Sequence, residues 1–96
     1  MAKFSLGMLC ATAGVAEQTR QDRDFHAFVW QCLFRYREGD WGDMPSSDKR
    51  ANDDAVACGD ARILAAYKRP GHPTQNLWII TEADRSSTTI LFPDEY

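Results

Sequence analysis

Long apolar runs are missing from this chain. Nothing in it approaches the roughly 18 residues that a membrane-spanning helix needs, so a membrane partner is not expected. Paired cysteines are missing too. Cys10, Cys32 and Cys58 are odd in number, lie far apart and form no C-x-x-C. Reduced thiols, two of them on apolar helix faces, fit better than a disulfide frame. Histidine is scarce, with His26 and His72 alone and neither near a cysteine at finger-like spacing, so no zinc site is expected. No Gly-rich phosphate loop, H-E-x-x-H or G-x-S-x-G is present, which leaves the common nucleotide and hydrolase motifs unrepresented. A basic stripe is also lacking, which disfavours direct binding of nucleic-acid phosphates. We expect no cofactor, no metal and no enzyme.

What is present suits one domain. The 96 residues are 44% hydrophobic and 26% charged, an ordinary globular balance with room for one small core. The opening "MAKFSLGMLCATAGVA" loosely imitates a signal peptide. Its apolar stretch is short and broken by Ser5, Gly7 and Thr12, and we read it as part of the fold, as either a fourth strand or an initial helical turn.

Residues 22–37, "DRDFHAFVWQCLFRYR", place Phe25, Phe28, Val29, Cys32, Leu33 and Tyr36 on one stripe of a helix. Asp22 or Asp24 can cap its start, Arg35 and Arg37 suit its end, and Gly39 stops it. Trp30 and Phe34 fall off the stripe, so the helix is either sandwiched or turned toward a partner. A second helix is predicted from Ser46 or Ser47, after Pro45, to a stop at Gly59. Its thin apolar side is Ala51, Ala55 and Cys58, with Val56 nearby, and Asp48, Lys49, Asn52 and Asp53 face water. The last third changes period: "RILAAYK", "NLWIITEA" and "TTILFP" read as strands separated by turn chemistry. The expected fold is α+β, an antiparallel three- to four-stranded meander packed on one long amphipathic helix and a shorter second helix.

The charge is concentrated. Residues 38–60 carry seven acids against two bases, while the segments on either side are basic or balanced. An EF-hand loop starting at Asp40 fails because Gly42 and Met44 stand where ligands are needed. Catalytic use of Asp40 and Asp43 lacks a pocket to raise a carboxyl pKa. Two readings remain, a helix-stop turn with Trp41 tucked onto the core and an acidic docking face. In the second, Asp40, Trp41, Asp43, Asp48, Asp53, Asp54 and Asp60 meet a protein partner with a basic surface. The polar knot "TEADRSSTT" reads as a hairpin turn, with Asp84 accepting from backbone amides and Arg85 in an ion pair. A small hydrolase using Glu82 or Asp84 with His72 would need those side chains in one pocket.

Two stretches together, "GDWGDMPSSDKRAND" and "LWIITEADRSSTTILFPDEY", resemble a family of small proteins carried on bacterial plasmids, conjugative elements and prophages. The pattern is a helix, a G-D-W-G-D turn at Gly39 to Asp43, a D-K-x-x-N helix at Asp48 to Asn52, a strand containing Tyr67, and a W-I-I-T-E-A-D-R-S-x-T-T-x-L-F-P-x-E-Y end from Trp78 to Tyr96. The likeness covers roughly residues 12–96. It carries over no catalytic residue. It implies a cytoplasmic protein of the bacterial host. By analogy with anti-CRISPR proteins, which are of this size and often acidic, it implies an inhibitor that occupies a basic channel or subunit contact of a CRISPR effector. A plasmid or phage accessory protein that self-associates through Trp30 and Phe34 is the other expectation, leaving the chain monomer or homodimer.

Overall fold

Asp22 divides the helical half of the chain in two. In the computed structural model, which describes residues 3–96, its backbone is extended and ends α1 (Ala13–Gln21) just before α2 (Arg23–Arg37) begins. Its carboxylate accepts from the amides of Asp24 and Phe25, the expected N-cap of α2. The same group meets the buried Arg69 guanidinium at 3.4 Å, tying the helix start to the loop after a distant strand. Helix α1 was not foreseen. Thr12 caps it by accepting from the Val15 amide, but Val15 is its one buried residue, so it leaves almost no apolar stripe to read.

Helix α3 (Ser46–Cys58) runs between the expected limits and ends at Gly59 in the left-handed region. Its buried side differs from expectation. Ala55 is buried, whereas Ala51 and Cys58 are exposed, and Asn52, expected in water, is buried. Cys58 is therefore not a buried thiol; Cys32 is buried, Cys10 is half-buried, and all three are free.

The sheet holds β1 (Met8–Ala11), β2 (Ile63–Tyr67), β3 (Leu77–Thr81) and β4 (Ser87–Leu91) in the order β1-β4-β3-β2. β2, β3 and β4 form the expected antiparallel meander. The fourth strand corrects the expectation of a purely antiparallel sheet, because β1 runs parallel to β4. The direction follows from the path: after β1 the chain crosses by its helices to the far edge, and the two reversals of the meander bring β4 back beside β1 pointing the same way. A short 3-10 turn, Pro93–Glu95, follows, and Glu95 accepts from the Thr12 hydroxyl and the Phe92 amide.

Alternation sends Ile63, Ala65, Tyr67, Leu77, Ile79 and Ile90 to one face, where Val15, Phe25, Val29, Leu33 and Tyr36 cover them. Each fully buried side chain of that size contributes about 1.5–3 kcal/mol. Within this core lies a chain of hydroxyls. Thr88 donates to the Leu6 carbonyl at 2.7 Å and so must accept from Thr81 at 2.7 Å; Thr81 in turn accepts from the Tyr36 phenol at 2.7 Å. The relay ties α2, β3, β4 and the segment before β1 into one satisfied network. No helix among the described residues is long and apolar enough to cross a membrane.

Candidate docking surfaces

The G-D-W-G-D turn is a clip on the free edge of β2. Gly42 bridges Ala66 in parallel, the Asp43 amide donates to the Ala66 carbonyl at 2.7 Å, and the Ala66 amide reaches the Trp41 carbonyl at 3.4 Å. One residue on, the Asp43 carboxylate accepts from the Lys68 amide at 2.8 Å. Gly42 has φ +73°, and a Cβ there would collide with the Ala66 carbonyl and the Tyr67 ring, so both the turn and the close approach demand glycine. Two residues before Ala66, α3 finishes the same edge: the Asn52 side-chain amide donates to the Leu64 carbonyl at 2.8 Å and accepts from the Leu64 amide at 3.3 Å.

Asp40 fixes the base of the turn. Arg35 donates to both of its oxygens, at 2.7 and 3.2 Å, and the Gly42 amide donates to one of them at 3.1 Å. These hydrogen bonds, the Arg35 one foremost, hold the Asp40 carboxyl below its ordinary range, and the partnership raises Arg35. The Asp40 carbonyl accepts from the Tyr67 phenol at 2.7 Å, and Arg35 stacks over that ring at 4.9 Å.

Trp41 is not a surface contact, which corrects its assignment as a docking residue. It is 3% exposed and packs edge-on to Tyr36 and against Phe4, with ring centroids 5.5 and 5.9 Å away. Its indole N–H donates to Asp53 at 2.9 Å, linking turn to α3. Of the seven predicted contact residues, Asp40, Trp41, Asp43 and Asp53 thus hold the fold, although the three aspartates are exposed. Asp48, Asp54 and Asp60 are different. They are exposed, and their carboxylates have no hydrogen-bond or ion-pair partner among the described residues. Lys49 and Arg50 interrupt the acids on the same exposed helix.

The second predicted surface stands apart from the first. Trp30 and Phe34 are 57% and 62% exposed, one turn apart on the outer side of α2. His26 accepts the Trp30 indole N–H at 2.9 Å and steadies the ring. Between β1, α1 and α2 runs an apolar groove of about 260 Å³, lined by Leu9, Ala11, Val15, Val29, Trp30 and Leu33 among others. Sequence reasoning missed this groove because its floor depends on β1, an element left undecided. The off-stripe position of Trp30 was its one visible signal.

The polar knot after β3 is a turn, as expected for Asp84, whose carboxylate accepts the Ser86 amide at 2.9 Å. Hydrogen bonding to Ser86, its side chain first and its amide second, holds the Asp84 carboxyl below its ordinary range. Arg85 departs from expectation. It makes no ion pair among the described residues; with φ +62° it donates to the carbonyls of Ala55, Ala61, Glu82 and Ala83, closing the C-terminal end of α3. His72 lies in the loop before β3, whereas Glu82 and Asp84 lie after it. A strand on the order of 13 Å long separates them, so the hydrolase reading has no shared pocket. No group of three His, Cys, Asp or Glu among the described residues could hold a metal ion. No protein-family model, curated protein or solved structure matches the chain.

Proposed function

We propose that the chain is a binding protein without catalytic chemistry, carried on a mobile element and cytoplasmic in its bacterial host. In this reading it inhibits a host defence complex, a CRISPR effector in the first instance, by docking α3 on a basic surface. The observation that carries the reading is the set of Asp48, Asp54 and Asp60, exposed acids whose carboxylates have no hydrogen-bond or ion-pair partner among the described residues. Unspent carboxylates on α3 and just beyond its end steer association and select for positive partners. Asp40, Asp43 and Asp53 add to the field from fixed positions while serving the turn. The resemblance to mobile-element proteins supplies the biological context.

The test is a triple reversal, Asp48→Lys, Asp54→Lys and Asp60→Lys, which spares every carboxylate that holds the fold. Purified, guide-loaded CRISPR effectors are assayed for target-DNA binding with wild type and variant at low and high salt. Salt-sensitive inhibition that the variant loses, with unchanged circular dichroism, is the expected result. Equal inhibition by the variant, or no effector inhibited by wild type, removes the reading.

A second reading is favoured by a separate observation, the exposure of Trp30 and Phe34 beside an apolar groove. It makes the chain a plasmid or phage accessory protein that self-associates, with no defence role required.

A further inference from the structure

The two edges of the sheet are treated differently by the fold. On β2 the outward N–H and C=O groups of Leu64 and Ala66 and the Lys68 amide are all engaged: Leu64 by the Asn52 amide, Ala66 by the turn, the Lys68 N–H by the Asp43 carboxylate. On β1 nothing of the kind exists. The amides of Met8 and Thr12 donate toward β4 at 3.0 Å, so strand alternation sends the N–H and C=O of Leu9 and Ala11 outward. These four groups have no hydrogen-bond partner among the described residues. The strand also lacks the usual protections of an exposed edge, having no lysine, proline or bulge in "MLCA".

The surroundings of that edge are apolar. Among the described residues, four of the five exposed large hydrophobics are Met8, Leu9, Trp30 and Phe34. Leu9 and Trp30 line one groove, Phe34 lies one turn beyond Trp30 on α2, and Met8 lies on the other face of the same strand as Leu9. At their observed exposures they present roughly 450 Å² of apolar surface per copy over the two faces of this edge, within the range of about 300–600 Å² for the largest patch on a monomer. Two such patches, with a polar rim added, reach the scale of a stable interface of about 1,200–2,000 Å². Charge agrees with this. The acidic segment lies on α3, which packs at β2, at the opposite end of the strand order. Two copies of a chain of net charge −3 can therefore meet at β1 with their acidic surfaces at the outer ends.

We propose that the occupant of this edge is a second copy of the chain, its β1 antiparallel to the first across a twofold axis, forming one continuous eight-stranded sheet. The inference rests on the self-association reading above and gives it a geometry. With the axis at Cys10, the outward groups of Leu9 bond those of Ala11 in the partner, and reciprocally. Leu9 and Trp30 of each copy close over the junction. The two Cys10 residues then face each other as a pair without mutual hydrogen bonds, with Cα atoms about 4.5 Å apart, inside the span of a disulfide of about 4.4–6.8 Å.

This makes Cys10 a probe of register. The full chain carrying Cys58→Ser, which leaves buried Cys32 and half-buried Cys10, is treated with diamide. Diamide takes up the two thiol hydrogens as the S–S bond forms. A covalent dimer that is lost on adding Cys10→Ser is expected. Sedimentation at about 100 µM should show a dimer, weakened at least about tenfold by Leu9→Lys, which sets a charge on the edge. A monomer at that concentration overturns both the proposal and the self-association reading. A dimer broken by Trp30→Lys, yet indifferent to Leu9→Lys and without the Cys10 cross-link, overturns the edge pairing alone. Neither outcome touches the defence reading, whose aspartates lie on the far edge.

Discussion

Replacing Thr88 by valine should be the most damaging single change in the hydroxyl relay, and the structure gives the order in which the relay fails. Thr88 is fully buried, donates to the Leu6 carbonyl and accepts from Thr81. Valine removes both bonds and leaves the Leu6 carbonyl without its donor and the Thr81 hydroxyl proton without its acceptor, although Thr81 still accepts from Tyr36. Each net bond is worth about 1 kcal/mol and each orphaned buried group costs about 1–3 kcal/mol, so the loss is about 3–4 kcal/mol after partial rehydration at Leu6. Thr81→Val also removes two bonds, but Thr88 keeps Leu6, and the Tyr36 phenol can turn to the Ile63 carbonyl at 3.4 Å. About 2 kcal/mol is expected there. Tyr36→Phe removes a single donor while Thr81 still donates to Thr88, for about 1 kcal/mol. Urea unfolding followed by tryptophan fluorescence resolves these values, because a chain this size has a slope of about 1 kcal/mol per molar urea. The midpoints should fall by about 3, 2 and 1 M in that order. A Tyr36→Phe loss equal to that of Thr88→Val would mean that the proton chain does not run toward Leu6, and the directional argument would fail.

Two further outcomes follow from the turn and from the buried titratable groups. Gly42→Ala should cost about 3 kcal/mol or more, since it combines a left-handed alanine with loss of the Ala66 bridge. Gly71→Ala, at φ +78° but with open space around it, should cost only about 1 kcal/mol, and equal urea midpoints for the two would refute the close-approach argument. On the alkaline side, burial pushes the Cys32 thiol up to about 12 and raises the phenols of Tyr36 and Tyr67 above their ordinary range. The folded chain then keeps protons that the unfolded chain releases, so stability is full below pH 9 and declines from there upward. Melting temperatures measured from pH 7 to 10.5 should fall beyond pH 9 and fall less in Cys32→Ala, relative to its own pH 7 value; a flat profile contradicts the assignment.

The elements that could be read from sequence are those whose signals are local. α2 carries a six-residue stripe, α3 lies between Pro45 and Gly59, and the meander strands are short β-branched runs bounded by turns. β1 and α1 escaped because their order is non-local. β1 becomes a strand only beside β4, some eighty residues away, and α1 buries little but Val15. The same limit blurred the docking segment. Its acids were conspicuous, yet no local pattern reveals that Asp53 holds an indole twelve residues back or that Asp43 caps an amide at Lys68. Asn52 shows the point most sharply: hydropathy places it in water, while its amide is needed at a strand edge.

That amide is chemically a peptide group. With the backbone of Trp41 to Asp43 and the Asp43 carboxylate, it completes a false fifth strand built from two separate pieces of chain, the turn and α3. A sheet so terminated can be extended from one side only. Two molecules joining through their open sides consume both growing ends at once, and the assembly stops at two. A chain with both edges bare could instead add subunits without limit and draw into fibres. The clip at β2 therefore acts as a chain terminator, and it sets a ceiling on assembly that no feature of the dimer junction itself could supply.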